Sequence, residues 1–237
     1  MVKGLEKRRP AGLRIRVVVV EEARFTLFGE RMLDSPFVFT AFVALKEKGV
    51  PFSFQLLDLQ AGEQRAPGFL DRSLTARVPT LTSGDFWLSE SLAIVEYLEE
   101  TLSPPEHPRL LPEGLEERAR ARQVLGWLRS DLPTLRRERP TSSIFYEHVD
   151  TPLGPSARAD ADKLVRVAQA LIGARSTLFE SFCIADADLA MALMRLVANG
   201  DSLPSELRAY AEAQWSRTSV AAWAGLERPP SSEVLAL

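Results

Sequence analysis

Few side chains in these 237 residues are equipped for chemistry. One cysteine, Cys183, closes no internal disulfide, and with only His107 and His148 beside it the chain offers no obvious zinc constellation. Ser35 directly precedes Pro36. That pair starts a helix, because a serine oxygen accepts one orphan N–H while proline at the first helical position forfeits no bond. No histidine stands near Ser35 in the sequence and no G-x-S-x-G elbow surrounds it, so a serine hydrolase has little support. Glu90-Ser91 lies where a strand passes into a helix, and helix N-termini attract carboxylates through free N–H groups and the dipole. Plain capping is the alternative there. Pro79 begins a strand, where a missing N–H is tolerated at an edge. Arg122, Arg129 and Arg136 are seven apart and would line one helix face, with Pro133 kinking the helix between the last two. Such a stripe is ordinarily solvated. Cys183 and Asp186 stand in capping-box spacing, but with a thiol where serine or threonine is usual; a thiol accepts poorly, so either the cap is weak or Asp186 bonds the backbone alone.

The elements that must position these residues follow from periodicity. Phe25 to Phe28 reads as a strand, and Val38, Ala41, Phe42 and Leu45 recur at helical spacing before Gly49. Phe52, Phe54 and Leu56 alternate with polar residues, which completes a βαβ unit with parallel strands. Pro79 to Leu81 and Phe86 to Leu88 form a hairpin across Ser83, Gly84 and Asp85, and a helix follows from Ser91. After the proline-rich break at Ser103 to Pro112, apolar residues return at helical spacing: Ala121, Val124, Leu125 and Leu128, then Leu164 to Leu171, then Leu189 to Val197. The expected organisation is an extension over 1–23, an α/β domain over 24–102, a linker over 103–112 and an all-helical domain over 113–237. In the extension, Lys3, Lys7, Arg8, Arg9, Arg14 and Arg16 outnumber Glu6, Glu21 and Glu22. It reads as a weakly ordered tail, with an edge strand at Val17 to Val20 as the alternative.

Composition narrows the function classes. Hydrophobic residues make up 46% of the chain and charged residues 26%, which suits a globular protein and not a disordered or fibrous one. A net charge of -3 argues against nucleic acid as the main partner. The longest apolar run near the start, Val17 to Val20, is far short of the ~20 residues that span a bilayer. A cytoplasmic location is the resulting expectation, with neither nucleic acid nor membrane as partner.

Three local patterns in register resemble the cytosolic glutathione S-transferases: Asp34-Ser35-Pro36-Phe37, Arg77-Val78-Pro79, and Glu90 to Leu98 opening the next helix. Cys183 to Leu189 looks like that family's capping segment in its helical half. Within the family, Trp127 to Leu132 and Glu138-Arg139-Pro140 look most like the bacterial YfcF-type branch. The resemblance implies a thioredoxin-like N-terminal domain, an all-helical C-terminal domain, a homodimer, and glutathione bound as co-substrate with no metal. It implies that Ser35 is catalytic, donating a hydrogen bond to the glutathione sulfur. A thiol of pKa ~8.5 lowered by ~2 units needs ~2.7 kcal/mol of thiolate stabilisation. A hydrogen bond to a charged acceptor, ~1.5–3 kcal/mol, and a helix N-terminus, ~0.3–1 kcal/mol, together reach that.

The same resemblance implies a cis Val78-Pro79 bond that turns the Val78 backbone outward to pair with an extended peptide. It implies that Ser91 holds the γ-glutamyl carboxylate and that Glu90 neutralises the ligand's ammonium, with Phe37 also against glutathione. Gln64, Arg77 and Arg129 are further candidates, and Asp131 would accompany Arg129 toward glutathione or a partner subunit. Phe37, Trp127, Phe145 and Tyr146 could wall the second substrate's site, although aromatic residues at such places are more often core. The implied activity is transfer of glutathione to small electrophiles, as in detoxification, with reduction of organic hydroperoxides alongside. Two rivals stay open, a silent glutathione-binding or regulatory protein and a glutathione-dependent dehalogenase or hydrolase.

Overall fold

A computed structural model describes residues 17–18, 23–173 and 175–230. Its five-stranded sheet runs in the order β1 (Val17–Val18), β3 (Phe52–Leu57), β2 (Phe25–Glu30), β4 (Thr80–Ser83), β5 (Phe86–Ser89). β2 and β3 are parallel across helix α1 (Pro36–Glu47), while the other neighbours are antiparallel. A right-handed βαβ unit followed by a hairpin is the arrangement the strand and helix periodicities predict. The edge strand at Val17–Val18 is present, pairing with Gln55 and Phe54; the rest of the expected tail lies outside the described residues.

Strand alternation divides the sheet's faces. Phe25 and Leu27 are fully buried under α1 and α3 (Ser91–Thr101), whereas Phe28 faces the other way, against Phe69 and Trp87. Phe69 belongs to α2 (Pro67–Leu70), a single turn that sequence periodicity is too short to reveal. At Gly29 an added Cβ would stand 2.8 Å from both Val38 and Phe54, so glycine lets α1 lie close on the end of β2.

The helical half comprises α4 (Leu115–Ser130), α5 (Pro133–Glu138), α6 (Ser142–Phe145), α7 (Pro155–Ile172), α8 (Ile184–Ala198), α9 (Ser205–Trp215) and α10 (Thr218–Ala224). The stripe expected to continue through a kink at Pro133 does not. Asp131 is extended and Leu132 is left-handed at φ +61°, so α4 ends at Ser130 and Pro133 opens a new helix. α8 carries the capping box in full: Asp186 accepts from the Cys183 N–H at 2.9 Å and the thiol faces the Asp186 N–H. Asp186 also accepts from the Leu178 N–H and the Tyr210 hydroxyl, so the cap is reinforced beyond what a lone thiol supplies. Burial, with Asp186 beside it, pushes the Cys183 thiol far up, out of the range of a reactive thiolate.

α1 joins the halves. Every residue from Val38 to Leu45 is buried, the mark of a helix covered all round. Trp223 of α10, itself fully buried, packs on Phe39, Phe42 and Phe54. Each such aromatic contributes about 1.5–3 kcal/mol through burial. The N-terminus of α1 therefore sits at the seam between the sheet and the helical half.

Candidate functional site

Register gathers three segments at one end of the sheet. Phe28 of β2 faces Thr80 of β4, and Thr80 faces Ser89 of β5. The chain leaving β2 toward Ser35, the chain entering β4 through Arg77-Val78-Pro79, and the chain leaving β5 through Glu90-Ser91 consequently meet there.

The turn that delivers Ser35 is held from both sides. Glu30, buried at the end of β2, accepts from the Asp34 N–H at 2.7 Å and the Ser35 N–H at 2.9 Å. Tyr146 donates its hydroxyl to the Met32 carbonyl at 2.5 Å, and Arg228 donates to the Leu33 carbonyl at 3.2 Å. Complete burial pushes the Glu30 carboxyl up to about 7, and the two N–H donors only partly offset this. Its second oxygen has no hydrogen-bond partner among the described residues. Ser35 Oγ accepts from the Val38 N–H at 3.3 Å as the cap of α1. Because that bond uses a lone pair, the hydroxyl proton stays available to a ligand.

The Val78-Pro79 bond is cis, as the resemblance implied. Among the described residues the Val78 N–H and C=O make no backbone hydrogen bond, which leaves both to an incoming extended chain. A buried cluster of the Ser73, Thr80 and Ser89 hydroxyls, 3.0–3.2 Å apart, fixes the strand beneath, and Thr80 donates to the Arg77 carbonyl at 2.8 Å. Glu90 is exposed with φ +74°, a backbone setting that costs about 1–3 kcal/mol in a non-glycine residue and clusters at binding sites. No side chain caps α3, so the capping alternative for Glu90-Ser91 has no hydrogen bond behind it.

Ser91 is instead part of a network spanning both halves. Arg129 of α4 donates to Ser91 Oγ at 3.1 Å, to Thr40 Oγ1 at 3.2 Å and to Asp188 Oδ2 at 2.6 Å, while Thr40 donates to Asp188 Oδ1 at 2.7 Å. Arg129 is thus a tether of α3, α1 and α8, not a solvated stripe residue, and it aims the Ser91 hydroxyl. Arg122 faces outward to Glu96, and Arg136 lies on a different helix.

The other candidates disperse. Gln64 donates to the Leu59 carbonyl at 3.3 Å, with its own oxygen buried and unpartnered among the described residues, and Arg77 is exposed. Asp131 accepts from Lys163, the Leu132 N–H and Trp127, which hold its carboxyl down at about 2. Trp127 is therefore committed to α4's end rather than to a substrate wall. Phe145 stacks on Trp215 and lies under the Arg228 guanidinium at 3.9 Å, so it and Tyr146 brace the turn before Ser35. Phe37 lines a cleft, with Arg129 and Arg136 each within 6 Å of its ring. That cleft, about 440 Å³, opens beside Ser35 between α1 and α5 and is floored by Arg195 of α8.

Glu30, Arg228, Asp188 and Arg195 are the site residues that sequence reasoning passes over. Glu30 ends a strand like any edge carboxylate, and Arg195 falls inside an apolar helical stripe; the only signal was a charge in a run otherwise destined for the core. Among the described residues no group of three or more His, Cys, Asp or Glu side chains could hold a metal ion, and no helix is long and apolar enough to cross a membrane.

Residues 34–101 match the family model of the glutathione S-transferase N-terminal domain, and residues 114–228 that of the C-terminal domain. A glutathione transferase homologue from Burkholderia, solved with bound glutathione, is 41% identical, with 84% of this chain and 95% of that one covered at a TM-score of 0.70. Human glutathione S-transferase theta-2 is 36% identical over 86 residues, 36% of this chain and 34% of its own. Glutathione S-transferase 1 of Dianthus caryophyllus is 40% identical over 93 residues, 39% and 41% of the two chains. The matches to these two curated relatives span about a third to two fifths of their length. The nitrogen regulation fragment of the yeast prion protein Ure2p, 21% identical with a TM-score of 0.68 over 86% and 97% of the chains, shares the fold.

Proposed function

Because the chain belongs to the glutathione S-transferase family, we propose that it binds glutathione at the end of the sheet and activates the tripeptide's thiol beside Ser35. One observation carries the reading: the strand register brings an unspent Ser35 hydroxyl proton, an unpaired Val78 backbone and the uncapped start of α3 to one end of one sheet. In this arrangement Val78 and Pro79 present the backbone against which the peptide extends, Ser91 receives the γ-glutamyl carboxylate, Glu90 faces its ammonium, and Phe37 flanks the ligand. Gln64 and Arg77 lie toward the glycine end, and Arg129 acts through Ser91.

The thiol proton leaves to solvent and the Ser35 O–H donates to the resulting thiolate. The thiolate then attacks an electrophilic carbon, forming a C–S bond as the leaving group departs with its electron pair. With a hydroperoxide, two glutathione thiols are oxidised to the disulfide while ROOH is reduced to an alcohol and water. The enzyme supplies activation and proximity, with no covalent enzyme intermediate.

Placement within the bacterial YfcF-type branch, a cytoplasmic location and a homodimer complete the reading. Leu70, Leu74 and Phe86, exposed in the N-terminal half, are the apolar side chains a dimer contact would cover. Retention on immobilised glutathione, elution by the free tripeptide and turnover of an aryl halide or a hydroperoxide test the function. Retention without turnover of either would favour a silent binding protein, and no retention would reject the site.

A further inference from the structure

Among the described residues two arginines are buried, Arg139 and Arg195, and only the first is matched to a carboxylate. Arg139 pairs with Asp201 through two hydrogen bonds of 2.6 and 2.9 Å, and Arg129 pairs with Asp188. Arg228 spreads its charge over four backbone carbonyls. Arg195, only 6% exposed, has no carboxylate within 4 Å among the described residues. It donates to the Arg139 carbonyl at 2.5 Å and weakly to Thr141 Oγ1 at 3.4 Å, leaving donors of its fork unspent.

A buried guanidinium without a counter-ion is costly, and chains ordinarily pair it. Here a second cation stands nearby. Arg136 lines the same two cavities as Arg195, lies over Phe37, and uses one donor on the Arg129 carbonyl, with no carboxylate partner among the described residues. Arg137 lines the open one with them. Burial and the Arg136 charge together push the Arg195 guanidinium down to about 10. The acidic group that acts on Arg195 is Asp34, whose carboxyl burial pushes up while the Arg228 and Arg195 charges draw it down.

The cleft has Ser35, Pro36 and Phe37 at one side and these guanidiniums at the other, and neither Val78, Glu90 nor Ser91 lines it. It is therefore the space beyond the thiol, not the space of the tripeptide. We propose that the second substrate is an electrophile bearing a carboxylate, which Arg195 and Arg136 bind while the reacting carbon is held on the Ser35 side. This deepens the thiolate reading and rests on it for the chemistry. A planar guanidinium fork matches a carboxylate bidentately, so the pair would orient the substrate as well as attract it.

The test compares a chlorodinitrobenzoate with the matching carboxamide at saturating glutathione, each rate divided by its uncatalysed reaction. Two charge-assisted hydrogen bonds predict a preference of about 10- to 100-fold in kcat/KM for the carboxylate. Arg195→Gln and Arg136→Gln should each reduce that preference at least severalfold. Arg136 is partly exposed, so its variant keeps the test decisive if Arg195→Gln fails to fold. Equal treatment of both compounds by the unsubstituted protein, or a preference that survives both substitutions, overturns the anion site while leaving thiol activation standing. Calorimetry with dinitrobenzoate, which has no leaving group, separates the two claims. Binding that Arg136→Gln weakens, with no turnover of either chloro compound, upholds the anion site and sinks the transferase reading. Neither binding nor turnover sinks both.

Discussion

Replacing Glu30 by Gln should change how stability depends on pH, and the size of the change follows from the burial of that carboxyl. Its value rises from 4.5 to about 7 on folding, and at about 1.4 kcal/mol per unit this is about 3 kcal/mol. For a raised acid the sign is fixed. Below about 4.5 both states hold the proton and the group contributes its full share; between about 4.5 and about 7 only the folded state holds it, so stability falls as pH rises; above about 7 the loss is complete. Glutamine is nearly isosteric, keeps an oxygen to accept from the Asp34 and Ser35 N–H groups, and does not titrate. The variant's stability relative to the unsubstituted protein should thus rise by about 3 kcal/mol from about pH 4 to about pH 8. Urea unfolding across that range measures it, and other groups cancel in the difference. Parallel stability curves, or a relative gain by the unsubstituted protein at high pH, would refute the reasoning that Glu30 is a buried acid holding the Ser35 turn.

Further expectations concern single contacts. Ser35→Ala removes the α1 cap at a cost of about 1 kcal/mol, a fall in Tm of about 2–4 °C, yet should lower kcat at neutral pH by about 10- to 100-fold; calorimetric scans and steady-state rates separate the two effects. Ser91→Ala should chiefly raise KM for glutathione, and a fall in kcat at constant KM would displace the γ-glutamyl site. Glu99→Ala strands Lys48, which is wholly buried and donates to Glu99 at 2.7 Å, and should cost about 3–5 kcal/mol in denaturant unfolding.

The sheet and its site-bearing turns were legible because their signals are local. Alternation at Phe52 to Leu56, helical spacing at Val38 to Leu45 and the Ser35-Pro36 start depend on near neighbours alone. The one-turn α2 and α6 were not, since four residues carry no period and tertiary packing decides them. Pro133 misled for a related reason: a proline is compatible with a kink or a fresh start, and the left-handed Leu132 settles which. At the site, the turn residues could be found by pattern, but their supports could not. Arg129 reaches Asp188, 59 positions away, and Arg228 reaches Leu33 across 195. Only the folded chain brings such partners together, and only burial distinguishes Glu30 and Arg195 from ordinary surface charges.

The central claim is that the Ser35 hydroxyl stabilises a thiolate on bound glutathione. The most direct measurement is the ultraviolet absorbance of that thiolate in the binary complex, titrated against pH. Half-formation about 1–2 units below the free thiol's ~8.5, with the shift abolished in Ser35→Ala, is the expected result. A bound thiol that titrates like the free one, or a shift that persists without the hydroxyl, would contradict it.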